Sequence, residues 1–362
     1  MRDRVVVVTG PGELVIREEE PAPLRDGTFR VRTLYSGVSA GTELSYVKGT
    51  NPYLTTGWNA TLGLFEAGEP ATPYPVTRLG YMEVGRVAES RTPAVAAGAV
   101  VAMTYGHRTG YLGDPLADRV VPLPADLDPV LGVYVAHMGP ICANGLLHAA
   151  ADLHGTAVRD LGDGVRGRRV AVVGAGVVAL LTALFARRHG AESVLVVDPT
   201  PERRAIAAAL GLDTLDPAAD DPAVVVKTRW RHAADDRGAD VVFQCRGQAA
   251  ALHLALRLLR PQGTVVDLAF YQGGADALRL GEEFHHNGLT MRCAQIGRVP
   301  RGLPAVWDRE RLSAATIDLL RTDGAALRKH LVTAVVPFDD APVVLADLAA
   351  RRRAEAQVVL AC

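Results

Sequence analysis

The residues VAVVGAGVVA, from Val170 to Ala179, decide the fold of this chain. An apolar run typical of a buried strand leads directly into Gly174-Ala175-Gly176, and the next residues, LLTALFARRHG, are typical of a helix that ends at Gly190. A strand, a glycine-rich turn and a helix in this order form the fingerprint of a dinucleotide-binding βαβ unit. The sequence therefore predicts a nucleotide site, with a glycine-rich turn that binds no ligand as the alternative interpretation.

The predicted nucleotide contacts follow from the backbone of this turn. Gly174 allows the tight turn, Gly176 lets the backbone approach a pyrophosphate, and Ala179 allows close packing of helix on strand. The first turn of the helix adds amide donors and the positive end of the helix dipole, which both favour phosphate. The predicted phosphate-binding residues are Gly174, Ala175, Gly176, Val177 and Val178.

A second strand, SVLVV, ends at Asp198, which lies 22 residues after Gly176. An acidic residue at about this distance accepts hydrogen bonds from the adenosine ribose hydroxyls, and its charge repels a 2′-phosphate. We therefore predict NAD as the cofactor in preference to NADP, with Arg203 and Arg204 of the next helix flanking the adenine and ribose. The alternative role of Asp198 is to cap that helix.

The pattern after Leu131 alternates strands with helices, as in a doubly wound parallel sheet of the α/β class. The predicted strands lie near Val170, Val194, Val224, Val241, Val265 and Leu289, with helical runs at 177–189, 201–210 and 249–259. Ligands of such sheets bind beyond the carboxyl ends of the strands. Cys245 and Arg246 after the fourth strand, and Ala269 after the fifth, are therefore predicted cofactor contacts, with a purely connecting role as the alternative.

The segment before Leu131 has short β-branched runs between turn residues, which predict an all-β unit. These runs are 5–8, 29–34, 84–88, 100–103 and 119–122. Residues 48–74 are irregular and are predicted to form a long ordered loop. The tail has two helical patterns around LVTAVVPF and ends in the strand-like QVVLAC, so we expect residues 300–362 to join residues 1–135 in one domain, with 136–299 as the other.

The composition narrows the range of partners. Among 362 residues, 39 Lys and Arg balance 40 Asp and Glu, so the net charge of −1 gives no electrostatic reason to expect nucleic acid or an anionic membrane. The four cysteines form no CxxC pair, which argues against a disulfide framework or a cysteine-rich zinc lobe. No stretch has the roughly 20 apolar residues of a membrane helix. We expect a cytoplasmic protein with a small-molecule substrate.

The order of an all-β domain, a dinucleotide-binding domain and a returning tail resembles the medium-chain dehydrogenase/reductase superfamily, which includes the zinc alcohol dehydrogenases. Besides the fingerprint, the matching segments are SGVSAGTEL (36–44), GYMEVG (80–85), AHMGPICANGLLHAA (136–150), ADVVFQCRG (239–247) and PQGTVVDLA (261–269). The first of these, with FHHNGLTMRCAQIGRVP (284–300), looks like the branch of bacteriochlorophyllide hydroxyethyl dehydrogenases and sorbitol-dehydrogenase-like proteins. The resemblance implies a GroES-like β-rich catalytic domain, a Rossmann domain and a homodimer.

The resemblance also identifies what this chain lacks. Zinc-dependent relatives hold a catalytic zinc ion with a cysteine, a histidine and a further cysteine or carboxylate. In this sequence those positions are Ser39 or Ala40, Tyr81, and Gly139 or Pro140, while the glutamate that follows the family's histidine is Met82. Hydroxyl groups and glycine cannot supply the imidazole and thiolate ligands of an open zinc site. We therefore predict that the chain binds no zinc.

Without a metal ion, reduction of a carbonyl needs a protein group that donates a proton or a hydrogen bond to the developing alkoxide. Tyr81 is the first candidate because it replaces a metal ligand, and an aromatic ring that fills the vacated space is the alternative. Thr42 and Glu43 match a polar pair that the family keeps beside the nicotinamide. The resemblance implies that Thr42 relays a proton and that Glu43 orients Thr42. The alternative is that Glu43 is a structural anchor. His137 is the third candidate because imidazole titrates near neutrality, against a solvated or packed histidine.

These features predict an NAD(H)-dependent, zinc-independent oxidoreductase that interconverts a secondary alcohol and a ketone on a mid-sized metabolite, bound between the two domains. Reduction of a C=C or C=N bond with NADPH, as in quinone and enoyl reductases, is the alternative reaction, and Asp198 argues against it. A non-catalytic dinucleotide-binding protein is the alternative from a different class. All three share the fingerprint, so turnover is needed to separate them.

Overall fold

The computed structural model describes residues 2–362 and divides the chain into two compact units. Unit 1 comprises the chain up to His137 together with Val332–Cys362, and unit 2 comprises Met138–Leu331. The sequence predicts boundaries at 135/136 and 299/300, so the main difference is that residues 300–331 belong to unit 2. The predicted α/β class, with one β-rich unit and one doubly wound unit, is confirmed.

Unit 1 begins with nine strands and one short helix. They are β1 (Asp3–Gly10), β2 (Glu13–Glu19), β3 (Phe29–Gly37), α1 (Glu43–Val47), β4 (Gly57–Asn59), β5 (Leu64–Glu66), β6 (Glu83–Ser90), β7 (Val100–Met103), β8 (Gly110–Gly113) and β9 (Val121–Pro122). Four predicted runs coincide with β1, β3, β6 and β7, whose apolar side chains are largely buried. Strand β2 escaped prediction because most of its side chains are exposed or partly exposed.

The irregular segment 48–74 contains more structure than predicted. Strands β4 and β5 pair as a small antiparallel hairpin. Its aromatic rings pack on one another, with Phe65 lying 5.5 Å from Tyr53 and 5.0 Å from Trp58 between ring centroids. The aromatic residues of this segment therefore form their own small cluster, while Trp58 and Phe65 remain exposed on one side.

Unit 2 alternates helices and parallel strands. They are α2 (Met138–His154), β10 (Arg169–Val173), α3 (Val177–Arg188), β11 (Ser193–Val197), α4 (Pro201–Ala209), β12 (Asp213–Leu215), α5 (Pro222–Arg229), β13 (Ala239–Gln244), α6 (Ala249–Leu258), β14 (Leu259–Asp267), β15 (Thr290–Cys293) and α7 (Arg309–His330). The strand order is β12-β11-β10-β13-β14-β15, and all neighbours are parallel. The order reverses between β10 and β13, which is where such sheets bind ligands. Within residues 2–362, no helix is both long and apolar enough to cross a membrane.

The strand predicted near Val224 is wrong. These valines lie in α5, because Asp221 caps the helix by accepting the Ala223 amide at 2.9 Å and Pro222 occupies its first turn. Three consecutive β-branched residues favour a strand locally, but the cap and the proline start a helix. The third strand of this sheet in chain order is instead β12, which is only three residues long.

The end of the chain returns to unit 1 as β16 (Val332–Pro337), α8 (Ala341–Ala349) and β17 (Gln357–Ala361). The main sheet of unit 1 has the order β16-β17-β3-β6-β7-β9, with β8 also pairing with β3. The predicted tail includes α7 in this unit, whereas in the structure α7 packs on α2, α3 and α4 of unit 2. Its buried leucines, such as Leu312 and Leu319, explain that placement.

Candidate functional site

The turn between β10 and α3 is shaped to receive a phosphate. Gly174 has a φ of +105°, a conformation that favours glycine, and its amide donates to the Val197 carbonyl at 2.8 Å. Gly176 is the N-cap of α3 and offers no side chain to the amides of the first turn. Gly176, Val177 and Val178 are partly exposed. The start of α3 therefore presents main-chain donors at its surface, the arrangement that binds anions.

Asp198 follows β11 and lies beside this turn. Its side chain is 2% exposed, with Oδ2 accepting the Ala175 amide at 2.9 Å and Oδ1 accepting the Thr200 amide at 2.8 Å. Thr200, not Asp198, is the N-cap of α4, so the capping alternative is wrong. Because each carboxylate oxygen keeps a second lone pair, Asp198 can hold the turn and still accept a ribose hydroxyl.

The two arginines of α4 have different environments. Arg204 donates to the Asp198 carbonyl at 2.7 Å and to the Asp216 carboxylate at 2.5 Å. The Arg203 guanidinium reaches the glycine turn, since a Cβ built on Gly176 would lie 3.6 Å from its Nη1. Arg204 therefore stabilises the fold around Asp198, and Arg203 places a positive charge next to the phosphate-binding turn.

The residues that follow β13 and β14 lie at the same edge of the sheet. The Cys245 amide donates to the last carbonyl of β10 at 3.0 Å, and a Cβ on Gly174 would lie 3.5 Å from the Cβ of Arg246. The Ala269 amide donates to Asp267 at 2.9 Å. Burial raises the pKa of the Cys245 thiol well above its usual range, which argues against a nucleophilic role. The structure thus gathers the predicted cofactor contacts along one edge.

In unit 1, Ser39, Tyr81 and His137 come together. The Ser39 hydroxyl and the Tyr81 phenol share a hydrogen bond, and the rings of Tyr81 and His137 meet edge to face with centroids 4.6 Å apart. Tyr81 and His137 are partly exposed, whereas Met82 is buried. His137 lies one residue before α2 rather than on it. These three side chains, the Tyr81 group, join a hydroxyl, a phenol and an imidazole. Ser39 and Tyr81 lie at positions that match metal ligands of zinc-dependent relatives, whereas His137 precedes the third such position.

Glu43 lies in a second, fully buried set of side chains. Its Oε2 is 2.9 Å from His107 Nε2, and His107 Nδ1 is 2.7 Å from the Ser36 hydroxyl. The Ser36 hydroxyl also donates a hydrogen bond to Glu83 Oε1 at 3.0 Å. We call Ser36, Glu43, Glu83 and His107 the His107 cluster. Glu43 therefore occupies the anchoring role that the sequence left as an alternative, while Thr42, the partly exposed N-cap of α1, makes no side-chain cap hydrogen bond.

Burial and neighbouring charges shift the pKa values of two groups in the His107 cluster. Burial raises the pKa of Glu83 to about 7, against the opposing effect of the His107 charge. Burial by itself lowers the pKa of His107, but the charge and hydrogen bond of Glu43 and the charge of Glu83 outweigh it and raise this pKa overall. Sequence reasoning missed Ser36 and Glu83, which face each other on β3 and β6. Both strands carry other polar residues, so the sequence offers no distinct signal for this pair.

The donor set of the Tyr81 group does not fit a catalytic zinc ion. Such an ion takes thiolates, imidazoles and carboxylates as ligands. Here one imidazole is accompanied by two hydroxyl groups that are hydrogen-bonded to each other. Gly139 has no side chain to supply a ligand, and a Cβ at this position would clash with Thr316 Cγ2 within unit 2.

Other possible ligands have different partners. Glu43 is bound to His107, and the buried Cys142 thiol donates to carbonyl groups of Met138 and Val178 within unit 2. Burial raises the pKa of Cys142 to about 12, which disfavours a metal-binding thiolate. Among residues 2–362, one set of three side chains could bring metal-ligating atoms close together. It lies in unit 2 and consists of His253, Glu282 and Glu283.

Known proteins resemble this chain along its length. Residues 177–309 match the family described as zinc-binding dehydrogenase. The chain is 28% identical over 344 residues to the D-guloside 3-dehydrogenase of Escherichia coli K12, with 93% of each chain covered. A structure described as a zinc-binding dehydrogenase of Sinorhizobium meliloti 1021 bound to NADP shares its fold, with a TM-score of 0.74, 20% identity and 100% of both chains covered. So does a short chain alcohol dehydrogenase of Escherichia coli CFT073 complexed with NADH, with a TM-score of 0.72, 15% identity and coverage of 100% and 99%.

Proposed function

Because this chain is a member of the medium-chain dehydrogenase/reductase superfamily, we propose that it interconverts a secondary alcohol and a ketone with NAD(H) and without zinc. Its relatives are named as dehydrogenases of D-gulosides and L-galactonate, which supports oxidoreduction of alcohols and ketones in general. The observation that carries the zinc-independent part is the Tyr81 group, because its donors suit a carbonyl or alcohol oxygen better than a metal ion.

The proposed substrate is a sugar derivative with an oxidisable ring hydroxyl. A relative that aligns over 93% of this chain is named D-guloside 3-dehydrogenase. A glycoside of this kind also has the size of the mid-sized metabolite that the sequence predicts. We therefore propose a glycoside ring hydroxyl and the corresponding keto-glycoside as the two substrates.

The cofactor would be held by the glycine turn and the residues around it. The amides at the start of α3 would bind the pyrophosphate, the Asp198 carboxylate would accept the ribose hydroxyls, and Arg203 would flank the adenosine. The bound nicotinamide supplies or accepts the hydride. NAD is preferred in this proposal because the buried charge of Asp198 opposes a 2′-phosphate.

Proton transfer is assigned to Tyr81. In the direction of reduction, Tyr81 would donate its phenol proton to the oxygen of the substrate carbonyl as that carbonyl becomes an alcohol. The Ser39 hydroxyl, already hydrogen-bonded to that phenol, stabilises the phenolate that forms. The partly exposed His137 imidazole, in ring contact with Tyr81, is placed to return a proton from solvent.

A metal analysis combined with a substrate panel tests this proposal. The purified protein should contain well below one zinc per chain, and treatment with a strong chelator followed by dialysis should leave turnover intact. NADH formation should be detected with methyl glycosides and NAD, and should be weak with NADP. Stoichiometric zinc with chelator-sensitive turnover would overturn the zinc-independent mechanism. NADPH oxidation on enones, with no turnover of any alcohol, would favour the reductase alternative.

A further inference from the structure

The His107 cluster is buried but lies close to the chain segments that carry the Tyr81 group. Its four residues are each at most 2% exposed. The Oε1 atom of Glu43 and the Oε2 atom of Glu83 are both buried without a hydrogen-bond partner. Burying two carboxylates and an imidazole is costly, and apolar side chains of similar volume usually stabilise a core as well or better. The cluster therefore calls for an explanation other than stability.

The first link from the cluster to the Tyr81 group runs through α1. The Glu43 amide donates to the Ser39 carbonyl at 3.1 Å, while the Glu43 side chain is bound to His107. Ser39 in turn shares the hydrogen bond with the Tyr81 phenol. The position of the Ser39 hydroxyl is thus fixed through Glu43.

The second link runs through the residues before Tyr81. The His107 amide donates to the Leu79 carbonyl at 2.7 Å. Gly80 has a φ of +100°, and a Cβ at this position would lie 2.8 Å from His107 Cε1 and 3.1 Å from Glu83 Oε1. The backbone that carries Tyr81 therefore rests directly on the imidazole ring, and only glycine allows this approach.

We propose that His107 is a positioning residue for the catalytic phenol. Together with Glu43 and Glu83, it holds segment 39–43 and segment 79–81 in the geometry in which the Ser39 hydroxyl meets the Tyr81 phenol. The cluster takes over the organising part that a metal ion has in zinc-dependent relatives, while remaining out of contact with substrate. The expected effect of His107 on turnover rests on the proposed function. The expected effect of His107 on the position of the Tyr81 phenol does not.

The kinetic test compares two variants of His107. His107→Leu fills most of the space but removes both hydrogen bonds, so turnover should fall by roughly 10²-fold, the usual effect of misplacing a reacting group by about 1 Å. The affinity for NADH should stay within about twofold. His107→Gln keeps a donor for Glu43 and should recover at least about tenfold of that loss. Val101→Ala, a buried position in β7 of the same unit, is the control for general destabilisation and should keep wild-type turnover at 25 °C.

A spectroscopic readout separates this inference from the proposed reaction. In protein labelled with 13C at the tyrosine ζ carbon, the Tyr81 signal is assigned by its loss in Tyr81→Phe. His107→Leu should shift this signal and Val101→Ala should leave it unchanged, whatever substrate the protein uses. If His107→Leu does not fold, Glu43→Gln serves in its place, because it keeps the shape but weakens the bond to His107. A variant that folds with lower thermal stability, an unshifted Tyr81 signal and wild-type turnover would overturn the positioning role.

Discussion

The nucleotide turn of unit 2 and the Tyr81 group of unit 1 are built in different ways. The turn is made by main-chain atoms of residues 174–178, which are consecutive in sequence, and by one buried carboxylate, Asp198. The Tyr81 group is made by side chains from three distant segments and is supported by a buried charge cluster from β3, α1, β6 and the loop after β7. The first site can therefore tolerate many changes of side chain, whereas the second depends on a few side chains.

Replacing Tyr81 gives the largest expected effect. Tyr81→Phe removes the proposed proton donor but keeps the ring against His137, so turnover should fall by roughly 10²-fold or more while NADH affinity stays nearly unchanged. Steady-state kinetics and fluorescence titration measure the two quantities. Tyr53→Phe, in the aromatic cluster of the hairpin segment, is the matched control. A Tyr81→Phe enzyme at wild-type rate, with His137→Ala or Thr42→Ala strongly impaired, would move the proton path to that residue.

A substitution that strains the main chain tests the nucleotide turn of unit 2. Gly174 has a φ of +105°, so Gly174→Ala strains the turn by about 1–3 kcal/mol, although no steric contact closer than 3.5 Å arises. NADH affinity should fall by roughly tenfold, and turnover at saturating NADH should change little. Gly190→Ala introduces similar strain at the end of α3, where φ is +88°, and should not alter NADH affinity. Equal losses in both variants would mean that affinity reflects overall stability rather than the turn.

The charge of Asp198 is expected to favour NADH over NADPH by a factor similar to the loss of affinity expected for Gly174→Ala. NADH should bind at least about tenfold more tightly than NADPH to the native protein, since placing a phosphate against a carboxylate costs upward of about 1.4 kcal/mol. Asp198→Asn keeps an acceptor oxygen but removes the charge, so it should narrow this ratio, mainly by weakening NADH. Asp213→Asn removes an exposed charge in the same unit and should leave the ratio unchanged. Tighter binding of NADPH to the native protein would show that Arg203 governs the pocket.

The smallest expected effect is a change in the pH dependence of the protein's stability. Glu83 has a folded-state pKa of about 7, above its usual value of 4.5, so the folded state binds more protons than the unfolded state between these values and becomes less stable as pH rises through them. The raised pKa of His107 acts in the same direction above pH 6.5. Glu83→Gln should flatten the decline in melting temperature between pH 4.5 and pH 7 by at least about 2 °C. An unchanged slope would show that Glu83 does not ionise in this range.

The sequence predicts the strand, glycine turn and helix around Gly174 because the determinants of this geometry are local. The glycine turn, its strand and its helix occupy about twenty consecutive residues, and Asp198 follows at a characteristic distance. Tyr81 could be proposed only through the resemblance to a family with a metal ligand at that position, and His137 only through the general chemistry of imidazole. Their contact with each other is a product of tertiary folding, and the placement of Gly139 against Thr316 could not be foreseen.

The His107 cluster lies beyond sequence reasoning for a physical reason. Its members are separated by up to 71 positions, between Ser36 and His107, and each is an ordinary polar residue in its own segment. Only the register of β3 with β6 brings Ser36 opposite Glu83, and only the loop after β7 brings the imidazole between the two carboxylates. The two local errors have different origins. A cap and a proline turned the strand predicted near Val224 into α5, whereas the tail helix α7 forms as predicted but lies in unit 2 because its buried leucines pack there.

The position of β17 between β3 and β16 has a consequence for the order in which the chain is synthesised. Residues 138–331 are contiguous, so unit 2 is complete in sequence when α7 has left the ribosome. The main sheet of unit 1 must wait, because residues 35–37 of β3 lack their second partner strand until residues 357–361 emerge. During that interval a nascent chain is expected to hold a protease-resistant unit 2 while this end of β3, beyond its pairing with β8, remains an open edge. Pulse proteolysis of ribosome-bound chains in which residue 350 is followed by a linker long enough to span the exit tunnel should recover unit 2 intact and unit 1 cleaved.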